Sequence, residues 1–337
     1  MAGTGCQTLT YYSQAAKGQA QVLLGQKRIS GMVRDPEVPQ KLKDQLKLVL
    51  ELREFSRNEL KMNPEGNYLK YRDLNRKYVL WVVYAAPPLS VKLKTWWYPI
   101  AGKFTSRGFF KKTDARNFAD GLQKAGMDVY VGGAPAYSTL GWFDDPVLNT
   151  FVNYPETDLA ELIFHELAHH HLFVNGDATF NESFATATAR VGVQRWLRAK
   201  GKTEAESRYH AECKREKSFV GLVLKTRAAL GKLYQTDLSI DAMRKRKASI
   251  LQELKTQLLA LHAKDPEYSG LARWAERPIN NANLAAIAVY YRQVPVFERL
   301  LKNNDGNLEK YFAEVKSLSK LAKEERIRRM ESLVREK

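Results

Sequence analysis

The chain has 337 residues, of which 44% are hydrophobic and 27% are charged, a composition typical of a folded globular protein and not of a disordered one. Its length allows one large domain or two closely packed ones. It contains 54 Lys and Arg residues against 37 Asp and Glu residues, which gives a formal net charge of +17. Because no run of eighteen apolar residues is present, we expect no transmembrane helix.

The positive charge is compatible with two classes of partner, nucleic acid and anionic membrane. The sequence contains no recognisable nucleic-acid-binding module, and its basic residues are spread along predicted helices instead of being interleaved with aromatic ones. These features favour a membrane-near or simply basic protein, and we do not expect nucleic acid as a partner.

Cys6 follows Gly5 and precedes a polar stretch. This pattern is typical of the first residue of a mature bacterial lipoprotein, whose signal peptide ends in small residues before a lipidated cysteine. The interpretation predicts lipidation of Cys6 and a membrane-anchored protein of the bacterial periplasm. The alternative is a chance cysteine in a cytoplasmic protein. Cys213 lies in a charged helical run, and nothing indicates a disulfide between the two cysteines.

Hydrophobic periodicity predicts a helical start, a mixed middle and a helical end for the chain. In chain order, the predicted elements are two helices within 8–62, strands at 78–84 and 93–98, a helix capped by Thr113, a strand at 128–131, an antiparallel helix pair at 203–265 and a charged helix over the last thirty residues.

His165-Glu166-Leu-Ala-His169 lies inside an apolar, helix-favouring run that follows Pro155. Side chains four residues apart share one face of a helix, so both imidazoles can bind the same metal ion. Glu166 follows the first histidine and can reach a metal-bound water as general base. The alternative is a helix whose histidines are solvated or satisfied within a core.

A catalytic zinc site needs a third protein ligand and an open fourth position. Leu172 and Asn175 stand where the extended His-x-x-Gly-x-x-His motif requires glycine and histidine, so that motif is excluded. Asp177 lies in the turn predicted to end the helix, whereas Glu182 opens the next helical run. A returning helix would bring Glu182 against His165 and His169, so we predict these three residues as ligands of one Zn²⁺ per chain. The alternatives are Asp177 as the ligand, and Glu182 as an ordinary glutamate at a positive helix end.

The motif, followed by Asn181-Glu182 on the next helix, resembles the gluzincin metallopeptidases. The wider chain is similar to a bacterial family described as “putative aminopeptidases”. That similarity rests on eight blocks, at residues 71–78, 85–87, 107–110, 128–133, 137–146, 162–169, 181–185 and 280–282. The resemblance implies a helix-rich α+β fold, with a small mixed β-sheet over the active-site helix and a helical C-terminal part. It also implies a peptide substrate, and the family is commonly lipoprotein-like at its N-terminus.

The resemblance further implies a substrate-aligning edge strand just before the zinc helix, to which a peptide can add through backbone hydrogen bonds. The candidate substrate-binding residues are Gly132, Gly133, Tyr137, Ser138 and Thr139. A connecting turn is the alternative reading of this segment.

Asp144 and Asp145 either capture the free amino group of a substrate or form an ordinary Asp-Asp-Pro turn. The Gly-x-Met-Glu-Asn signature of well-known zinc aminopeptidases is absent. Gluzincins often use a downstream tyrosine or histidine to stabilise the oxyanion of the tetrahedral intermediate. This assigns Tyr290 a catalytic role, with a core tyrosine as the alternative.

We therefore divide the chain into an N-terminal helical segment (1–62), a catalytic α+β part (63–200) and a helical C-terminal part (201–337) that closes the cleft. The expected function is that of a zinc-dependent peptidase, an aminopeptidase in the first instance. A metal-activated water, deprotonated by Glu166, would attack the peptide carbonyl. The alternative is a zinc-binding, membrane-associated scaffold or binding protein with little or no peptidase activity.

Overall fold

The computed structural model describes residues 3–98, 102–138 and 143–335. Its first part contains α1 (Gly3–Leu23), β1 (Lys27–Arg28), α2 (Ile29–Met32), α3 (Gln40–Asn58), β2 (Lys70–Arg72) and β3 (Leu80–Ala86). The middle contains β4 (Trp96–Tyr98), β5 (Gly102–Phe104), β6 (Arg107–Phe109), α4 (Lys112–Lys124), β7 (Asp128–Ala134) and β8 (Val147–Leu148). Helices follow: α5 (Glu156–His171), α6 (Ala178–Ala199), α7 (Thr203–Leu233), α8 (Ile240–Lys264), α9 (Ser269–Ala275), α10 (Asn281–Tyr291), α11 (Val294–Asn303), α12 (Leu308–Ser319) and α13 (Lys323–Arg335).

The predicted helix-rich α+β class is confirmed, but the described strands form three small sheets where the sequence predicted one mixed sheet. β3 lies between β6 and β7 in an antiparallel sheet, β2 lies between β1 and β8 in a mixed one, and β4 pairs with β5. Pro87 and Pro88 follow β3 directly. Because proline cannot donate a ladder hydrogen bond, the chain leaves the central sheet there and β4 pairs elsewhere.

The central sheet of β6, β3 and β7 carries helices on both faces. Alternation along β3 directs Val83 and Ala85 towards α4, whereas Tyr84 and Ala86 point towards α10. β7 is paired with β3 along its whole length, from Asp128 opposite Ala86 to Ala134 opposite Leu80. Gly132 and Gly133 therefore belong to a strand at the edge of this sheet.

Helices α5 and α6 form the centre of the largest hydrophobic cluster, which includes residues from α3 and from α11 to α13. Small residues let the two helices approach closely. A Cβ atom added at Gly192 of α6 would lie 2.7 Å from the Phe164 ring of α5 and 2.9 Å from Leu60. The close contact fixes the position of one helix face relative to the other.

Several element boundaries differ from those predicted from the sequence. α4 begins one residue before Thr113 and has Lys111 at its N-cap, so the predicted threonine cap is wrong. The region 8–62 contains the additional short helix α2, and the last thirty residues form two helices, α12 and α13. The predicted helix pair is present as α7 and α8, which pack against each other, and α7 also packs against α10.

Among the described residues, no helix is both long enough and apolar enough to cross a membrane. Cys6 lies in α1, in a stretch whose side chains are outside the described part of the structure. Its lipidation, the periplasmic location and the three-part division of the chain stay predictions.

Candidate metal centre

Helix α5 carries the two predicted imidazole ligands. Its first turn contains Glu156 and Asp158, whose negative charges favour the N-terminal end of a helix. Glu156 also accepts a hydrogen bond from Trp196 Nε1 at 2.9 Å, which ties the start of α5 to the end of α6. His165 and His169 lie four residues apart near the opposite end of α5 and point towards α6.

The turn between α5 and α6 brings Glu182 to the histidines. Gly176 has a φ of 77°, a left-handed conformation that glycine adopts without steric cost. The Asn181 side chain accepts a hydrogen bond from Val174 N and donates one to Val174 O, both at 2.8 Å. These two hydrogen bonds to the backbone fix the first turn of α6, so that the next residue, Glu182, faces α5.

The three predicted ligands present their donor atoms to one point. His165 Nε2 lies 3.2 Å from Glu182 Oε2 and 3.2 Å from His169 Nε2, and His169 Nε2 lies 3.5 Å from Glu182 Oε2. A tetrahedral zinc ion with bonds of about 2.0–2.1 Å separates its ligands by roughly 3.3–3.4 Å. The observed triangle therefore fits a zinc-sized ion, and two imidazoles with one carboxylate form a known catalytic zinc set.

Asp177, the alternative third ligand, is engaged elsewhere. Its carboxylate caps α6 by accepting a hydrogen bond from Phe180 N at 3.3 Å. It also accepts one at 2.8 Å from Arg326 of α13, and both side chains of this ion pair are buried. Asp177 also lines the first cavity, but the donor atoms within 4.8 Å of one another belong to His165, His169 and Glu182.

The carboxylates of the site differ in their proton affinity. Burial alone would raise the pKa of Glu182, but the charges and hydrogen bonds of His169 and His165 outweigh burial and lower its pKa well below the usual range. Burial raises the pKa of Glu166 to about 7, and the negative charges of Glu182 and Asp145 act in the same direction. Glu182 therefore remains a charged donor, whereas Glu166 has the proton affinity that a general base needs near neutral pH.

Tyr290 of α10 lies beside the histidines. Its ring stacks on His165, with centroids 6.3 Å apart and an angle of 25° between the planes. Its hydroxyl forms a hydrogen bond with Tyr84 of β3. The negative charge of Glu182, followed by Tyr84 and burial, raises the pKa of Tyr290 well above its ordinary value, so the hydroxyl keeps its proton.

The start of α10 is fixed to the central sheet, which explains how a residue so far along the chain reaches the site. Asn280 caps α10 through a reciprocal capping box with Asn283, and its Nδ2 donates to Val129 O at 2.9 Å. Asn281 N donates to Asp128 Oδ2 at 2.9 Å, and its side chain donates to the carbonyl of Pro88 at 3.0 Å.

Two cavities meet at the donor triangle. The first has a volume of about 230 Å³ and is lined by His169 and Glu182, by the β5 region including Lys103, and by Tyr137 and Ser138. The second has a volume of about 560 Å³ and extends along the edge strand β7. His165, Glu166 and Tyr290 line both.

The predicted substrate-binding residues are thus divided between the two cavities. Gly132 and Gly133 line the second cavity, and Tyr137 and Ser138 line the first. Thr139 lies outside the described residues. The Tyr137 hydroxyl donates a hydrogen bond to the Gln19 side chain of α1, so the N-terminal helix supports this loop.

Asp145 is buried and lies against His170, which directly follows the predicted ligand His169. His170 Nε2 lies 2.9 Å from Asp145 Oδ2 and 3.0 Å from Ser138 Oγ. In a Ser-His-Asp relay the acid and the serine contact opposite nitrogens of the ring, whereas here both contact Nε2. His170 therefore attaches the loop before β8 to α5. Neither Asp144 nor Asp145 lines the two cavities.

The sequence did not single out three residues of the site. Asp158 and Glu161 line the second cavity, and Tyr84 lines both. The spacing of Glu161, four residues before His165, is a signal that places it on the same helix face as the ligands. Tyr84 had no such signal, because its position depends on how α10 packs on β3.

A protein-family model described as “Putative aminopeptidase” matches residues 10–330 of the chain. The matched region includes α5, α6 and α10 and therefore every residue of the donor triangle together with Glu166 and Tyr290. No curated protein matches the chain, and no solved structure does.

Proposed function

The chain belongs to the family described as “Putative aminopeptidase”, as its sequence resemblance predicted, and we propose that it is a zinc-dependent peptidase of the gluzincin type. The observation that carries the proposal is the triangle of His165, His169 and Glu182, whose donor atoms are 3.2 to 3.5 Å apart. Membership of the family supports peptidase activity in general. The donor triangle supports a bound metal ion, because two imidazoles and one carboxylate are a known set of zinc ligands.

Zinc, when bound, lowers the pKa of water and polarises a carbonyl group. Glu166 accepts a proton from the attacking water and donates it to the leaving nitrogen, which is the work of a single general acid–base residue. Two features support this role for Glu166, its position directly after His165 in the wall of both cavities and its raised pKa of about 7.

Tyr290 is the proposed hydrogen-bond donor to the oxyanion that develops on the scissile carbonyl. A donor must keep its proton, and the charge of Glu182, Tyr84 and burial keep the pKa of Tyr290 high. The Tyr84 hydroxyl orients the Tyr290 hydroxyl, and stacking on His165 limits the movement of the ring.

The extended part of the substrate is proposed to lie along β7. Gly132 and Gly133 stand at the edge of the central sheet and in the wall of the second cavity, where a peptide backbone can approach closely. This arrangement resembles strand addition, in which the peptide backbone supplies affinity and the pockets supply specificity.

Metal content and hydrolysis test the proposal together. We expect one zinc per wild-type chain by elemental mass spectrometry, and hydrolysis of aminoacyl reporter substrates. Glu166→Gln should keep the zinc and lose about 10²- to 10⁴-fold in hydrolysis, since it removes only the proton-transfer group. The matched control is Glu204→Gln on α7, whose side chain is 92% exposed and outside the site.

Two results would contradict the proposal: wild-type protein without zinc, or a Glu166→Gln variant of undiminished activity. Zinc without cleavage of any substrate in a broad panel would favour the alternative, a zinc-binding scaffold. A structural metal needs no base in its cavity, so the position of Glu166 argues for the enzyme.

A further inference from the structure

The second cavity is acidic although the chain as a whole is strongly basic. Asp158, Glu161 and Glu166 contribute carboxylates to its lining, and none of the described residues that line it is Lys or Arg. The full chain carries a net charge of +17. A cavity with one sign of charge and partly apolar walls concentrates ligands of the opposite charge.

Glu161 is a carboxylate of the second cavity that has no role in the proposed proton transfer, and its side chain forms a hydrogen bond with Tyr209. It precedes His165 by one helical turn, so it lies on the same face of α5, about 6 Å along the axis. The rest of the wall beside it is apolar, with Leu162, Ala286 and Ile287.

Arg190 of α6 favours the charged form of Glu161, but other carboxylates share its positive charge. Arg190 of α6 already donates a hydrogen bond to Glu216 of α7, and its second amino group lies 3.6 Å from Glu298. The Tyr291 hydroxyl also donates a hydrogen bond to Glu216. The positive charge of Arg190 is therefore shared between Glu216 and Glu298, in addition to any effect on Glu161.

Covalent geometry favours a particular partner for Glu161. In a peptide with a free N-terminus, the α-amino nitrogen lies about 2.5 Å from the carbonyl carbon of the same residue. A carbonyl at the donor triangle thus brings the ammonium group within hydrogen-bonding reach of a carboxylate one helical turn away. Asp144 and Asp145, the residues that the sequence suggested for this contact, do not line either cavity.

We propose that Glu161 recognises a substrate ammonium group in the second cavity, with Asp158 strengthening the negative potential there. The inference rests on the proposed peptidase function and deepens it, because it makes substrates with a positive charge next to the scissile bond the preferred class. Burial and the charge of Glu216 raise the pKa of Glu161 to about 7, against the opposing effects of Arg190, a hydrogen bond with Tyr209 and His165. A bound ammonium would favour the charged form of Glu161.

Hydroxamates test the inference without turnover, because the hydroxamate group binds zinc directly. We would measure the dissociation constants of three probes for the wild-type holoprotein and for Glu161→Gln. Leucine hydroxamate has a free α-amino group, Nα-acetyl-leucine hydroxamate has none, and Nα-acetyl-lysine hydroxamate has only the side-chain ammonium. The matched control is Glu212→Gln, an exposed glutamate of α7 that does not line the cavity.

Glu161→Gln should weaken leucine hydroxamate about 10- to 100-fold, the usual range for a hydrogen bond to a charged group, and leave the acetylated leucine probe unchanged. Selective loss of the lysine probe would instead identify the side-chain ammonium as the group recognised. An equal effect on all three probes, or none on any, would overturn the inference while leaving the zinc site intact. If no probe binds the wild-type protein, the proposed function itself fails. Zinc content of each variant shows whether the site is still formed.

Discussion

Replacing Asp177 distinguishes a structural carboxylate from a metal ligand, since the sequence left both roles open. In the structure, Asp177 caps α6 and pairs with Arg326 of α13, and the side chains are 6% and 4% exposed. Arg326 also packs over the Phe180 ring, with its guanidinium carbon 5.1 Å from the ring centroid. Asp177→Ala should therefore destabilise the fold but leave zinc binding unchanged, because we expect Glu182 to be the third ligand.

Two contributions set the expected size of this effect. Loss of an N-cap side chain costs about 1 kcal/mol. Removal of one partner of a buried ion pair costs about 3–5 kcal/mol, because the other charge stays buried without compensation. Arg326 keeps hydrogen bonds to the carbonyls of Ser319 and Leu321, which moves the sum towards the lower end. We expect a total loss of about 4–5 kcal/mol in the free energy of unfolding.

Urea denaturation of the metal-free proteins measures this free energy, and elemental mass spectrometry of the folded proteins measures zinc. Asp177→Asn keeps a capping side chain and should lose roughly 1 kcal/mol less than the alanine variant. Lys323→Ala is the control, because Lys323 is 52% exposed and 3.9 Å from the Asp177 carboxylate, so a change of about 0.5 kcal/mol or less is expected. A loss under about 1 kcal/mol for Asp177→Ala would refute the buried ion pair as an important contact. A folded Asp177→Ala protein without zinc would instead make Asp177 a ligand.

Glu182→Ala should lose stoichiometric zinc in elemental analysis while the chain remains folded by circular dichroism, and unchanged zinc affinity would exclude this ligand. Gly192→Val should destabilise the fold by about 1–3 kcal/mol or more in denaturant titrations, because the added Cβ atom would lie less than 3 Å from Phe164 and Leu60. A variant as stable as the wild type would contradict the close packing of the two helices. The pKa of Glu161, raised from 4.5 to about 7, means that the folded protein binds the extra proton more tightly than the unfolded chain. Its contribution to stability is therefore present below about pH 4.5 and is lost as the pH rises to about 7. Relative to wild type, metal-free Glu161→Gln should lose less stability over that pH range, and parallel pH profiles would contradict the raised pKa.

The pairing of His165 with His169 and the position of Glu166 were available from the sequence, because they depend only on the period of one helix. The helix-rich α+β class was equally accessible, since long runs with helical spacing are a local property of the chain. The prediction of a single mixed sheet was wrong, because pairing between short strands depends on contacts that are distant in sequence.

The sequence predicted Glu182 as the third ligand but left Asp177 open as an alternative, and the tertiary structure shows which acidic residues lie at the candidate site. Asp177 and Glu182 both follow the histidines closely, and the packing of Gly192 against Phe164 fixes the face of α6 that meets α5. Asp145 is turned onto His170, whereas Glu161 faces the second cavity. The sequence by itself thus determined that His165 and His169 share one face of a helix with Glu166 beside them, because a helix repeats every 3.6 residues whatever surrounds it. Whether Glu182 and Tyr290 lie beside the histidines, and the presence of the acidic cavity, depended on the three-dimensional arrangement, because each joins helices or strands whose separation and rotation are set by packed side chains far apart in the chain.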